Sequence, residues 1–246
     1  SAEKISALES SVELNPPTAD CLQCKDLGWY QRKVPMGHPD WQVLKPCPCQ
    51  EPRLRAHRLV YANLPQRPPV RTFDTFEERH GVENAFRSAK EFCEPDSPGR
   101  LLTLTGGRGT GKSHLLEAIA RNYLDQGRAV RYEVAGEMLK RLRATFSPDS
   151  QEQYQTLWDS YATVELLLLD ELGIEHNTPW AMDELSLLIG KRERDGVRLV
   201  VATNLTQAQM SRAVDERVAD RLWNLNSPGS NLVTLTAASY RTGERW

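Results

Sequence analysis

From Leu101 onward, apolar runs typical of β-strands alternate with segments of helical spacing. The runs are LLTLTG, AVRYEVA, VELLLLDELG, RLVVATN and NLVTLTA. VELLLLDELG is almost continuously apolar, as expected for a strand that is buried on both faces. Strands that alternate with helices predict a parallel sheet with helices on both sides. The expected fold class is therefore α/β, with a three-layer parallel sheet core.

The residues before Leu101 show much weaker patterning. Apolar positions in residues 1–14 have helical spacing, residues 15–52 have little periodicity, and a helix is predicted from about Val82 to Cys93. Three prolines between these parts indicate a connecting segment. We therefore expect three parts, namely an N-terminal module, a linker and a larger α/β domain, at residues 1–60, 61–72 and 73–246.

Composition excludes several classes of protein. The chain has 246 residues and a formal net charge of −2, so it is not basic overall, and any contact with nucleic acid has to come from a local patch. No apolar run approaches the roughly 20 residues of a membrane span. The first residues do not have the basic and apolar regions of a secretory signal. We expect a cytoplasmic protein.

The segment GGRGTGKS matches the phosphate-binding motif G-x-x-x-x-G-K-[ST] in full. It follows a predicted strand and begins a predicted helix, which is the context that the motif requires. Backbone N–H groups and the helix N-terminus would hold the phosphates of ATP. Lys112 would contact the β- and γ-phosphates, and Ser113 would ligate Mg²⁺. The predicted ATP contacts here are Gly106, Gly107, Arg108, Gly109, Thr110, Gly111, Lys112, Ser113 and His114.

Two later strands end in polar residues. LLLLDE ends in Asp170 and Glu171, and RLVVATN ends in Asn204. In a parallel sheet these ends lie at the same edge as the phosphate loop. Asp170 would hold Mg²⁺, Glu171 would orient and polarise the attacking water, and Asn204 would contact the γ-phosphate or that water. This pattern therefore predicts an ATPase with the catalytic residues Lys112, Asp170, Glu171 and Asn204.

The segment DERVADRL places Arg217 and Arg221 four residues apart, on one face of a predicted helix. A surface helix often carries such a pair only for solubility. The segments FDTF, GGRGTGKSHL, LLLLDELG, VVATN, DERVADRL and SYR together resemble the AAA+ ATPases. More narrowly, residues 73–246 resemble the DnaC/DnaI-type bacterial replicative helicase loaders and the related IstB-type transposition ATPases.

This resemblance implies further roles. Arg217 would be an arginine finger that reaches the ATP of a neighbouring subunit, so it is also counted as catalytic. Arg221 would support it or contact the same phosphates, and Arg241 would contact the nucleotide of its own subunit. Only residues 205–246 follow Asn204, which leaves no room for a full helical lid domain. The resembling families share this short tail, which favours the narrower match. The role of Arg241 is left open because that role normally belongs to a residue on a lid.

Four cysteines, in CLQC and CPC, are clustered in the first 50 residues. Cys21, Cys24, Cys47 and Cys49 could close a tetrahedral Zn²⁺ site, and a site with four protein ligands is structural. His38 could replace one of these ligands. The pattern is similar to the zinc-binding N-terminal modules of some DnaI-like loaders. This similarity implies that the module binds a protein partner.

The segment KRLRATF combines cations with an aromatic residue, a combination that suits single-stranded DNA. The same pattern also fits an amphipathic helix that packs on the core, and the sequence favours neither interpretation. In the resembling family, this region of the oligomer contacts DNA. The candidate DNA contacts are Lys140, Arg141, Arg143 and Phe146.

The expected function is an ATP-dependent loader that binds a replicative DNA helicase and places it on single-stranded DNA. It would form a homo-oligomer with ATP at the subunit interfaces, and would use ATP, Mg²⁺ and Zn²⁺. Two alternatives remain open. One is an IstB-like transposition helper that assembles on duplex DNA and recruits a transposase. The other is an adaptor that binds ATP as an assembly signal without turnover.

Overall fold

The described residues of this computed structural model are 21–25, 27–65, 68–173 and 178–240. Contacts divide the chain into two compact units, Ser1–Leu54 and Arg55–Trp246. The helix predicted over residues 1–14 lies outside the described residues. None of the helices in the described ranges is long and apolar enough to cross a membrane.

The first unit contains a two-stranded antiparallel hairpin. It is formed by β1 (Trp29–Gln31) and β2 (Leu44–Pro46), with Tyr30 opposite Lys45. The helix α1 (Gln50–Tyr61) follows and contains the boundary between the two units. Sequence reasoning found no regular structure in residues 15–52, because strands of three residues are too short to show periodicity.

The second unit is built on a five-stranded parallel sheet, in the order β4-β5-β6-β3-β7. This confirms the predicted fold class. The strands are β3 (Leu101–Gly106), β4 (Val130–Val134), β5 (Leu166–Asp170), β6 (Arg198–Thr203) and β7 (Ser230–Leu235). The helices are α2 (Glu83–Cys93), α3 (Lys112–Asp125), α4 (Ala135–Ala144), α5 (Tyr154–Thr163), α6 (Pro179–Asp195), α7 (Gln207–Ala213) and α8 (Glu216–Trp223).

Strand β5 shows why its sequence is so apolar. All five of its residues are buried, and successive side chains point to opposite faces of the sheet. Leu166 and Leu168 belong to the hydrophobic core under α2 and α3, whereas Leu167 and Leu169 belong to the core under α4 to α8. A central strand covered on both faces needs apolar residues at every position.

The division of the chain differs from the expected one. The units meet between Leu54 and Arg55, whereas the sequence indicated a boundary at residue 60 and a linker at 61–72. Ala62 and Leu64 are buried in the core of the second unit, and the N–H of Tyr132 donates to the carbonyl oxygen of Ala62 over 2.9 Å. Residues 62–64 therefore pack on this core beside β4.

Candidate functional site

The phosphate-binding loop connects β3 to α3. Gly106 has a φ of 141°, and a Cβ atom at this position would overlap the carbonyl oxygen of Leu235 in β7. Gly109 and Gly111 also have positive φ values, of 77° and 103°. These backbone conformations favour glycine, which explains why the loop needs this residue at three positions.

Lys112 extends into this loop from the first turn of α3. Its side chain is nearly buried, and its Nζ donates to the carbonyl oxygens of Gly106 (2.8 Å) and Gly107 (2.6 Å). The hydroxyl of Thr110 donates to the same carbonyl of Gly107 over 3.0 Å. The loop is thus folded around an ammonium group at a helix N-terminus, where both charges favour a bound anion.

Asp170 ends β5 and is buried, with 4% exposure. Its Oδ2 accepts a hydrogen bond of 2.6 Å from the hydroxyl of Tyr132, and its Oδ1 accepts from the N–H of Glu171 over 2.9 Å. Burial and the charge of Asp170 raise the pKa of the Tyr132 hydroxyl, so this hydroxyl remains a donor. The two bonds fix the direction of a carboxylate that could hold Mg²⁺.

Glu171 lies in an unusual backbone conformation. Its φ is 57°, in the left-handed region that a residue with a Cβ atom rarely adopts, and its side chain is exposed. Such strain is concentrated at functional sites in proteins. Here it turns the chain sharply after the buried Asp170.

One cleft of about 550 Å³ brings these groups together at the carboxyl edge of the sheet. We refer to this candidate site as the nucleotide cleft. Of the predicted site residues, the following line it: Arg108, Gly109, Gly111, Lys112, Ser113, His114, Asp170, Glu171 and Asn204. Gly106, Gly107 and Thr110 belong to the loop that forms its base. Oxygen ligands for Mg²⁺ are available from Ser113 and Asp170, as that ion prefers.

Sequence reasoning missed the residues before α2 that form one wall of this cleft. Phe76 packs against the ring of His114 at 5.1 Å, and Arg71 forms an ion pair of 2.7 Å with the buried Glu117 of α3. The Nε2 atom of His114 lies 2.9 Å from the carbonyl oxygen of Thr72. The FDTF segment supported the family resemblance, but its place at the cleft depends on contacts that are distant in the sequence.

Tyr240 closes the cleft from the other end of the chain. Its N–H donates to the carbonyl oxygen of Gly109 over 2.9 Å, and its hydroxyl donates to the carbonyl oxygen of Glu77. The guanidinium of Arg79 lies 4.1 Å from the centre of its ring. Sequence reasoning had pointed to Arg241, which lies outside the described residues.

The structure does not bring Arg217 or Arg221 to the nucleotide cleft of the same chain. Arg217 is in the first turn of α8, and its side chain is 72% exposed, with Asp215 at 3.3 Å. Asp215 caps this helix by accepting from the N–H groups of Arg217 and Val218. Arg221 donates to Glu193 over 2.7 Å. Arg217 is therefore a surface residue, and its role at the ATP of a neighbouring subunit stays a prediction.

Residues around the end of α4 were the candidates for DNA contact: Lys140, Arg141, Arg143 and Phe146. Lys140 is exposed, and the Nε of Arg141 donates to Glu152 over 2.9 Å. Phe146 stacks on Tyr154 at 5.3 Å and is still 59% exposed. This helix packs on the core through Leu139 and Leu142 and leaves Lys140 exposed, so contact with DNA stays a prediction.

The four clustered cysteines meet in the first unit. The Sγ atoms of Cys21, Cys24, Cys47 and Cys49 lie within 4.8 Å of one another, and no disulfide joins them. Zn²⁺ with four thiolates at about 2.3 Å requires sulfur atoms about 3.8 Å apart. The observed separations of 3.6 Å (Cys21 to Cys47) and 3.4 Å (Cys24 to Cys49) fit this geometry. His38 is not part of the cluster.

The charges of this cluster also fit a cation. Hydrogen bonding to the backbone of Cys24 lowers the pKa of the Cys21 thiol to about 6. The neighbouring sulfurs of Cys24 and Cys47 raise the pKa of Cys49. Four thiolates this close together repel one another, so a divalent ion is needed for all of them to ionise. The N–H of Gly28 donates to the sulfur of Cys24 over 3.3 Å.

A parallel sheet with a phosphate loop, an Asp-Glu strand end and a polar neighbouring strand is typical of P-loop ATPases. The family model for IstB-like ATP binding proteins matches residues 50–245. The chain belongs to the IstB-like ATP-binding protein family. The match covers the second unit and leaves the cysteine cluster outside the family domain.

Other proteins similar to this IstB-like chain include bacterial replication proteins. The replicative helicase loader DnaC of Buchnera aphidicola subsp. Schizaphis graminum is 24% identical over 153 residues, which is 61% of this chain and 62% of that protein. The DnaC of Escherichia coli K12 is 27% identical over 146 residues, or 59% of each chain. The chain thus spans about 60% of the length of these relatives.

The same core occurs in a solved structure of a DnaC helicase loader. The two superpose with a TM-score of 0.61 at 20% identity, over 70% of this chain and 99% of that one. This likeness shows the AAA+ fold. The family model and the DnaC relatives confirm the resemblance found from the motifs.

Proposed function

We propose that this protein is an ATP-dependent loader of a replicative DNA helicase in the cytoplasm. The observation that carries the ATPase part is the single cleft in which Lys112, Asp170, Glu171 and Asn204 meet. Lys112 would bind the β- and γ-phosphates, and Ser113 and Asp170 would hold Mg²⁺. The bound ion would neutralise charge that develops on the phosphates.

Hydrolysis then depends on the positions of three further side chains. Glu171 would accept a proton from the attacking water, with Asn204 at the tip of the next strand orienting that water. Arg217 would enter the cleft of a neighbouring subunit and stabilise charge on the γ-phosphate, with Arg221 in support. Because this arginine is supplied in trans, hydrolysis would require a homo-oligomer.

A turnover assay tests the enzyme. Glu171→Gln should lower kcat by about a hundredfold or more and leave ATP binding intact, because the amide cannot accept the proton. Glu137→Gln, an exposed glutamate on α4, is the matched control and should hydrolyse ATP normally. No hydrolysis by the wild type would instead favour the adaptor without turnover.

The loader part rests on the named relatives and on the cysteine module. The module carries large apolar side chains that are strongly exposed, such as Leu22 (93%), Met36 (82%) and Leu44 (65%). Where such side chains form one contiguous patch, they mark a protein–protein contact. We propose that Zn²⁺ stabilises this module and that the module binds the helicase. Lys140, Arg141, Arg143 and Phe146 would contact the single-stranded DNA.

Size-exclusion chromatography with light scattering tests the partner. The protein is mixed with the replicative helicase of its host, in ATP and in ADP. We expect an ATP-dependent complex that Leu44→Glu abolishes. The control Leu187→Glu changes a leucine in the second unit that is also exposed (57%) and should leave the complex intact.

A second candidate function has one observation in its favour. The family model is that of the IstB-like proteins, so a transposition helper that recruits a transposase stays open. Such a protein would assemble on duplex DNA with ATP. Assembly on duplex DNA together with no helicase complex would support this alternative.

A further inference from the structure

A second cleft, of about 220 Å³, lies at the opposite edge of the sheet from the nucleotide cleft. Its walls include Leu101, Leu199 and Ser230, at the amino ends of β3, β6 and β7. Three arginines also line it: Arg100, Arg192 and Arg221. We refer to it as the arginine cleft. It shares no residue with the nucleotide cleft.

Arg192 is the unusual member of this set. Its side chain is fully buried. Its Nη1 donates to the carbonyl oxygen of Tyr161 over 2.6 Å, and its Nη2 donates to that of Val164 over 2.9 Å. Its Nε has no hydrogen-bond partner within the described ranges, and no carboxylate there pairs with it. Burial lowers the pKa of this guanidinium to about 10. A buried cation without a counter-charge is costly, so an anion in the adjoining cleft is favoured.

The other charges around the cleft do not cancel this one. Arg221 pairs with Glu193, the one carboxylate among the described residues that line the cleft. Arg100 is exposed and has no acidic partner in the described part of the chain. Its Nη1 lies against the end of α6, because a Cβ atom built on Gly196 would be only 2.6 Å from this nitrogen. The carbonyl end of α6 offsets part of the charge of Arg100, and a positive surplus remains.

The volume and the lining of the arginine cleft indicate which kind of anion it can bind. Its volume is less than half that of the nucleotide cleft, which is too small for a nucleotide. A polynucleotide needs an extended basic groove, whereas this is one recess with Leu101, Ile189 and Leu199 in its walls. Guanidinium groups match the planar fork of a carboxylate. An acidic side chain with its apolar stem fits these features.

Helix α8 indicates where that side chain comes from. Arg221 is four residues after Arg217, so the two share one face of the helix. A neighbouring subunit that receives Arg217 would therefore also approach Arg221, which lines the arginine cleft. We infer that the arginine cleft binds the carboxylate of an acidic side chain from a second copy of this chain. This inference rests on the proposed function, which supplies the neighbouring subunit.

Sedimentation velocity with Mg²⁺ and a non-hydrolysable ATP analogue tests the inference. Arg100→Gln removes an exposed charge that has no acidic partner in the described ranges, so the fold should be kept. We expect it to weaken self-association by about tenfold, as for a lost charge-assisted hydrogen bond. The control Arg87→Gln removes an equally exposed arginine on α2 and should assemble like the wild type. Both variants should bind the analogue normally.

Competition with small molecules identifies the ligand. Glutarate should weaken assembly of the wild type and have little effect on Arg100→Gln, whereas neutral glutaramide should affect neither. Equal inhibition by inorganic phosphate at matched ionic strength would overturn the carboxylate assignment. If the wild type assembles and Arg100→Gln assembles equally well, the inference fails and the proposed function stands. If the wild type does not assemble, the proposed function fails as well.

Discussion

At the scale of single residues, the hydroxyl of Tyr132 decides how Asp170 is presented. It donates to a buried carboxylate that we propose as a Mg²⁺ ligand. Removing such a supporting donor lowers metal affinity by about tenfold or more. We therefore expect Tyr132→Phe to raise the Mg²⁺ concentration needed for half-maximal ATP hydrolysis by about tenfold, measured in a magnesium titration.

Tyr161 offers a matched control for this change. Its hydroxyl is buried and makes no hydrogen bond within the part of the chain that the structure describes. Tyr161→Phe therefore removes the same atom without removing a partner, and its magnesium requirement should equal that of the wild type. An unchanged requirement in Tyr132→Phe would show that Asp170 does not depend on this bond.

His114 makes the free energy of unfolding depend on pH. Partial burial lowers the pKa of its imidazole from the ordinary value of about 6.5. As the pH falls below 6.5, the unfolded chain binds a proton before the folded chain does, so the free energy of unfolding decreases. Urea midpoints at pH 7.5 and 5.5 should differ less for His114→Gln than for the wild type. His80→Gln, at a fully exposed imidazole, should behave like the wild type.

At the scale of elements, α7 is held by a reciprocal cap. The hydroxyl of Thr206 accepts from the N–H of Gln209, and the side chain of Gln209 accepts from the N–H of Thr206. Thr206→Ala should lower the free energy of unfolding by about 1 kcal/mol, measured by urea denaturation. Ser211→Ala, inside the same helix, should change it by less than about 0.5 kcal/mol. Equal losses would argue against the cap.

Helix α7 also shows which elements can be predicted from the sequence. The helices α3 and α6 are long enough to repeat their pattern, and β5 could be found from its continuous apolar run. The phosphate loop and Asp170 were found together with these elements. Helix α7 has seven residues, and only its Thr-x-x-Gln start could have indicated it. The contacts of Tyr240 with Gly109 and of Tyr132 with Asp170 join distant parts of the chain. No local pattern contains such contacts.

At the scale of the whole molecule, we expect metal binding and ATP hydrolysis to belong to different units. The four clustered cysteines lie in the first unit, and the nucleotide cleft is built entirely from the second. A structural metal site stabilises only the part that it holds together, and a module this small folds with its metal. We therefore expect one Zn²⁺ per chain in the wild type and much less in Cys47→Ser, measured by atomic emission.

Loss of this Zn²⁺ should have an uneven effect on function. Cys47→Ser should hydrolyse ATP within about twofold of the wild type, because its nucleotide cleft is unchanged, and should lose the complex with the helicase. Cys93→Ala removes a buried thiol on α2, outside the cluster, and should retain its Zn²⁺. Full Zn²⁺ content in Cys47→Ser would contradict the four-cysteine site. A parallel loss of ATP hydrolysis would mean that the ATPase unit depends on the module, and the proposed division of work between them would fail.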